Sequence, residues 1–118
     1  MVVARSFREL DIWKKGIELV KEVYKLTETF PKSESYGLTS QMRRAAVSVP
    51  SNVAEGFRRK GPKEFQQFLK IALGSLGELE TQVVIAEELN YLEHGATKDV
   101  AELIDHLSRM IVSLSKKI

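Results

Sequence analysis

The sequence predicts an all-α protein built as an antiparallel up-down four-helix bundle, and three observations carry that prediction. Apolar residues recur at three- and four-residue spacing along most of the 118 residues, the period of a helix with one face turned to a core. Proline occurs only at 31, 50 and 62, so long stretches are free of the residue that most disrupts a helix. No run alternates apolar and polar residues as a half-buried strand would. With 43% apolar residues, residues 1–118 suffice for one domain around one core.

The first helix is expected over about residues 8–30, with Ser6 and Glu9 spaced as a capping box. Leu10, Trp13, Ile17, Val20 and Tyr24 form one apolar stripe, and Ile12, Leu19, Val23, Leu26 and Phe30 form a second beside it. Such a double stripe is wider than contact with one neighbour requires. Phe30-Pro31 closes the helix, because a residue before proline is pushed out of the α region. The second helix is expected over about 35–60, burying Leu38, Met42, Ala45, Val49, Val53 and Phe57. Pro50 falls inside that pattern and predicts a kink, since the Ala46 carbonyl loses its usual donor. Ser48, Ser51 and Asn52 surround the break and are placed to bond the freed groups.

Gly61-Pro62 ends the second helix, and Pro62 suits the first position of the third, expected over about 62–91. Its apolar positions run from Phe65, Phe68 and Leu69 through Leu76 and Leu79 to Val83, Ala86 and Leu89. Gly74, Ser75 and Gly77 lie in mid-helix, where each glycine costs up to about 1 kcal/mol; they predict close approach by another helix. Gly95 breaks the chain, and the fourth helix, about 97–117, carries a narrow seam of Val100, Leu103, Leu107, Met110 and Leu114. Short connections between four such helices give the up-down arrangement.

Composition excludes several function classes. The chain has no cysteine, so disulfides, thiolate nucleophiles and cysteine-ligated zinc are ruled out. No uncharged apolar stretch reaches the roughly 18–20 residues that span a bilayer. Between Met1 and Arg8 there is no apolar run of the kind a secretory signal needs. A cytoplasmic protein with no membrane partner is expected.

Catalytic chemistry finds little support. His94 lies in a Glu-His-Gly turn and is expected to be solvated. Glu102 and His106 share a helix face, but a bundle di-metal site wants two Glu-x-x-His motifs and further inward carboxylates, and the sequence has none. Glu78, Glu80, Glu87 and Glu88 have no matching acidic set on the first two helices to hold magnesium. Serines lack a histidine placed to activate them, and no glycine loop cradles a phosphate. The expectation is no catalytic residue, no metal, no cofactor and no enzyme.

Charge is more informative. The net charge is +2, yet residues 41–70 carry Arg43, Arg44, Arg58, Arg59, Lys60, Lys63 and Lys70 against only Glu55 and Glu64. Arg44 and Arg58 are fourteen residues apart, which returns them to nearly one helix face about 21 Å apart. Arg43, Arg44, Arg58, Arg59, Lys60 and Lys63 are therefore candidates for binding RNA or DNA phosphates. A second reading stands beside it: cations at a helix C-terminus are favoured by the helix dipole, and Glu55 is spaced to pair with an arginine.

The run Gln41-Met-Arg43-Arg44-Ala-Ala-Val-Ser48-Val-Pro-Ser51-Asn52-Val-Ala-Glu55-Gly56 resembles the four-helix-bundle proteins of 23S ribosomal RNA intervening sequences, the S23-like family. Phe65-x-x-Phe68-Leu69-x-Ile71-Ala72-x-Gly74-Ser75-x-x-Glu78-Leu79 extends the match, as do Phe7-x-x-Leu10-x-Ile12-Trp13 and Phe30-Pro31-x-x-Glu34-x-Tyr36-Gly37-Leu38. It covers about Phe7 to Leu92, leaving the fourth helix loosely matched. The chain is also similar to the accessory variability determinant protein of diversity-generating retroelements. The resemblance implies a ring-shaped homopentamer that binds nucleic acid through a basic surface or engages a protein partner such as a reverse transcriptase. It implies no reaction. Within the signature, Ser48, Pro50, Asn52, Glu55, Gly56, Gly74 and Ser75 read as structural. If one stripe of the first helix serves the core and the other a neighbouring subunit, Ile12, Leu19, Val23 and Leu26 are the interface candidates.

Overall fold

The structure, a computed structural model, describes residues 4–118 apart from the side chain of His94. The expectation for His94 therefore lies outside the described residues. The described residues hold four helices, α1 (Asp11–Thr27), α2 (Leu38–Arg58), α3 (Pro62–Glu88) and α4 (Lys98–Lys117), with short 3-10 turns at Phe7–Glu9, Lys32–Glu34 and His94–Thr97. No strand occurs among them. Successive helices run up and down in an elongated body of 47 × 25 × 19 Å.

Local chemistry sets the helix ends, each inside the range expected from the sequence. The Ser6–Glu9 capping box forms, but it caps a single 3-10 turn. Leu10 is then extended (φ −75°, ψ 130°) and α1 starts one residue later. Gly37 is the N-cap of α2, which starts at Leu38. There Glu34 Oε1 accepts from the Leu38 amide at 3.0 Å, and a Cβ on Gly37 would lie 2.6 Å from that same oxygen. Asn90 takes a left-handed conformation (φ 61°) just after α3, a role asparagine fills more easily than most residues.

On α1 the stripe expected to meet a neighbouring subunit is the one that faces the core. Ile12, Leu19 and Val23 are buried in the core of the subunit, so these three are not available as interface residues, while Leu26 packs against it half-buried. The cause is Gly16, which shares their face: its Cα comes so close to α2 that an added Cβ would sit 3.0 Å from Pro50 Cβ. That close approach rolls the Ile12–Leu19–Val23 side inward. Leu10, Trp13 and Val20 flank the core, half-buried, and Tyr24 is exposed.

α2 runs without interruption through the buried Pro50. The polar residues around the proline serve a different purpose from the repair expected of them. Asn52 Nδ2 donates to Ser48 O (2.7 Å) and Ser48 Oγ (2.9 Å), and Ser48 Oγ bonds Ser75 Oγ at 2.9 Å. This network ties α2 to α3, while Ser51 is exposed. Gly56 does permit close helix approach: a Cβ there would meet Phe68 Cβ at 2.6 Å. Gly74 and Gly77 do not, since nothing lies within 4 Å of the Cβ position of either. On α4 Val100 and Leu107 are buried as expected, but the positions between and after them move by one residue to Ile104 and Ile111, leaving Leu103, Met110 and Leu114 packed at the margin.

Candidate nucleic-acid interface

The six predicted cations separate into three groups. Arg43 is half-buried and serves the end of α1. Its Nε donates to Thr27 Oγ1 at 2.9 Å, its Nη2 donates to Tyr24 O at 3.4 Å, and its guanidinium lies 4.4 Å from the centre of the Tyr24 ring. A cation there satisfies last-turn carbonyls and the negative end of the helix dipole. Arg44 is exposed beside it, four turns of helix from the α2–α3 turn.

Arg58, Arg59, Lys60 and Lys63 are all exposed and sit together where α2 passes into α3. Phe57 and Phe65 meet edge-on across this turn, with ring centres 6.0 Å apart. Arg58 lies over the Phe7 ring at 5.4 Å and Arg59 over the Phe68 ring at 5.2 Å. These contacts seat the two guanidinium groups on aromatic rings at the exposed turn. Arg59 also pairs with Glu55 at 3.3 Å, as the i, i+4 spacing predicts; both side chains are half exposed, so the pair contributes little. Lys60 is held in a left-handed conformation (φ 62°).

The fold adds cations that sequence proximity does not reveal. Gln66 Nε2 donates to Ser115 O at 2.8 Å and Ile118 O at 3.1 Å. That brings Lys116 and Lys117, both exposed, to the first turn of α3. Phe7 carries the exposed Arg5 and Arg8 to the same end through its stack with Arg58. The clue available in the sequence was topological, since an up-down bundle brings the end of its fourth helix beside the end of its second. Glu28, Glu34, Glu87, Glu88, Glu93 and Asp99 gather with Lys25, Lys32 and Lys98 at the opposite end. There Phe30 packs on Tyr91 and Thr97 Oγ1 donates to Glu87 Oε2 at 3.0 Å.

Nothing comparable assembles around the acidic candidates. Glu102 and His106 are exposed and line a shallow groove between α1 and α4 with Lys15, Glu18, Glu22 and Arg109. Asp105 is paired with Arg109 at 2.8 Å. Among the described residues no three His, Asp or Glu side chains converge as metal ligands do. No helix among them is long and apolar enough to cross a membrane.

The fold and this surface define a small helical-bundle protein with a cationic end. The chain belongs to the 23S rRNA-intervening sequence protein family, whose model matches residues 8–113. Its fold is also that of a crystallised protein of unknown function from the S23 ribosomal protein family of Bacteroides thetaiotaomicron. The two superpose with a TM-score of 0.79 at 18% identity, over 89% of this chain and 98% of the other. Among curated proteins, none matches.

Proposed function

We propose that this protein is a non-catalytic, cytoplasmic binding protein that engages RNA or DNA through the basic surface at the α2–α3 turn. One observation carries the reading: Arg58, Arg59, Lys60 and Lys63 project together into solvent, with Glu55 the only carboxylate bonded to any of them among the described residues. Clustered, exposed cations gain by releasing the counterions condensed on a polyanion. Fluorescence anisotropy with a labelled RNA at low salt tests it. Micromolar or tighter binding that weakens steeply with salt is expected, and reversing the charge of Arg44, Arg58 and Arg59 together should remove most of it. No detectable binding at low salt would sink the proposal.

A second property, assembly into a homo-oligomer such as a pentameric ring, is supported by α3. Ile71, Gly74, Glu78 and Ile85 fall within about 60° of one another around the helix; Ile71 and Ile85 are exposed, and the space over Gly74 is open. Two exposed isoleucines on one side of the helix, with open space over the glycine between them, suit contact with another protein surface. Light scattering that returns a stable monomer would refute assembly. The same stripe also suits a different protein partner, and binding that survives neutralisation of the basic turn would favour an adaptor role.

A further inference from the structure

We infer that the phosphate-binding surface is the whole end of the bundle, where four chain segments meet, and that it fits the paired backbones of a nucleic-acid duplex. The inference rests on the nucleic-acid reading above and adds Arg5, Arg8, Lys116 and Lys117 to the binding residues. Residues 5–9, 55–64 and 115–117 together carry eight cations and three carboxylates. Two of those carboxylates are already engaged: Glu9 accepts from the backbone amides of Arg5 and Ser6, and Glu55 pairs with Arg59.

Helix dipoles do not account for this arrangement. They favour Arg58, Lys116 and Lys117 at helix C-termini, but they disfavour cations at helix N-termini. Lys63 lies in the first turn of α3. It is placed against the local field, where an external anion offsets the penalty.

The aromatic side chains decide which nucleic acid fits. Proteins that hold single strands offer open aromatic faces on which bases stack. Here Arg58 covers a face of Phe7, which also meets Trp13 at 5.4 Å. Arg59 covers Phe68, and Phe57 and Phe65 are turned against each other. The cations around these rings offer N–H donors across an end about 25 by 19 Å in extent. A duplex carries one charge per roughly 1.7 Å of axis, so about 11 to 15 phosphates pass over such a span. Recognition is by backbone, without sequence preference.

The test measures binding of the full chain to a 20-base-pair RNA duplex, the matching DNA duplex and an unstructured oligothymidine across a salt series. Either duplex should bind at least tenfold more tightly than the single strand. Substituting Arg5, Arg8, Lys116 and Lys117 with glutamine should lower the slope of log affinity against log salt by about 3 to 4, because each neutralised phosphate adds about 0.9 to that slope. The pair K116Q/K117Q, which leaves the capping segment untouched, should lower it by about 2, with circular dichroism verifying the fold. A wild-type slope in the K116Q/K117Q variant, with binding still abolished on neutralising Arg58, Arg59, Lys60 and Lys63, overturns the extended surface and leaves the nucleic-acid reading standing. Equal or tighter binding of the single strand overturns the duplex assignment. No binding to any of the three, or binding only to phosphatidylserine vesicles, overturns both readings.

Discussion

Tyr91 donates its hydroxyl to Glu34 Oε2 at 2.8 Å, joining the end of α3 to the turn that precedes α2. The other carboxylate oxygen of Glu34 accepts from the Leu38 amide, so one side chain both caps α2 and clamps the acidic end of the bundle. The Leu38 amide first and the Tyr91 hydroxyl second hold the Glu34 carboxyl below its usual range, and the same bond raises the Tyr91 phenol.

The sign of the pH dependence follows from those directions. A lowered carboxyl contributes stability that is present above its unfolded-state value, ordinarily near 4.5, and is lost as pH falls through the folded value. The raised phenol contributes below its usual value near 10 and loses that contribution as pH rises past it. Glu34→Gln should therefore destabilise the protein at pH 7, and its deficit relative to wild type should shrink as pH falls below the ordinary carboxyl value of 4.5. Urea unfolding from pH 3 to 8 checks this; a deficit that stays constant with pH would show that the carboxylate charge is immaterial.

Two glycines of the signature make opposite predictions. Gly56→Ala drives a methyl group against Phe68 Cβ, at 2.6 Å, and neither backbone can yield easily. The expected loss is about 1–3 kcal/mol. Gly74→Ala adds a methyl into open space and should stabilise the isolated subunit by up to about 1 kcal/mol through helix propensity. Thermal unfolding of both variants, with light scattering alongside, separates the cases. A Gly74→Ala variant that is more stable as a monomer but assembles less well would place that glycine at an interface between subunits.

These positions also mark how far the sequence could be read. Period and punctuation sufficed for four helices, because the buried positions of α2 and α3 are spaced by helix geometry alone. The period could not say which stripe of α1 faces inward: both stripes have helical spacing, and the choice is made by Gly16 against Pro50, which belong to different helices. Gly56 and Gly74 look alike in one dimension and differ only in whether a neighbouring helix crosses there. At the basic end, residues 58–63 were legible as a contiguous cluster. Arg5, Arg8, Lys116 and Lys117 joined them only through chain closure, which local spacing does not encode.

The neighbouring Arg43 and Arg44 should respond differently to truncation. Arg43→Ala removes two hydrogen bonds and the stack on Tyr24 at the end of α1, and about 1–2 kcal/mol of destabilisation is expected. Arg44→Ala removes an exposed side chain and should change stability by less than about 0.5 kcal/mol. Chemical denaturation of the two variants decides the matter. Equal losses would mean that Arg44 has a structural role that its position does not indicate.

Lys60 carries a tension between stability and binding that can be measured at one position. It stands at φ 62°, a conformation that disfavours side chains bearing a Cβ by roughly 1–2 kcal/mol, while glycine adopts it freely. The next residue is Gly61, at φ −111°, so the chain places its glycine one residue beyond the strained position. Lys60→Gly should stabilise the fold by about 1 kcal/mol. It also removes one cation from the centre of the basic end, and should lower the salt slope of nucleic-acid binding by about 0.7–0.9. Lys60→Asn, which tolerates the left-handed backbone without the charge, should show the same binding loss with a smaller gain in stability. If both variants are more stable and bind as well as wild type, Lys60 contributes nothing at the interface. A simultaneous gain in stability and loss in binding would mean that the strained lysine is retained for its charge.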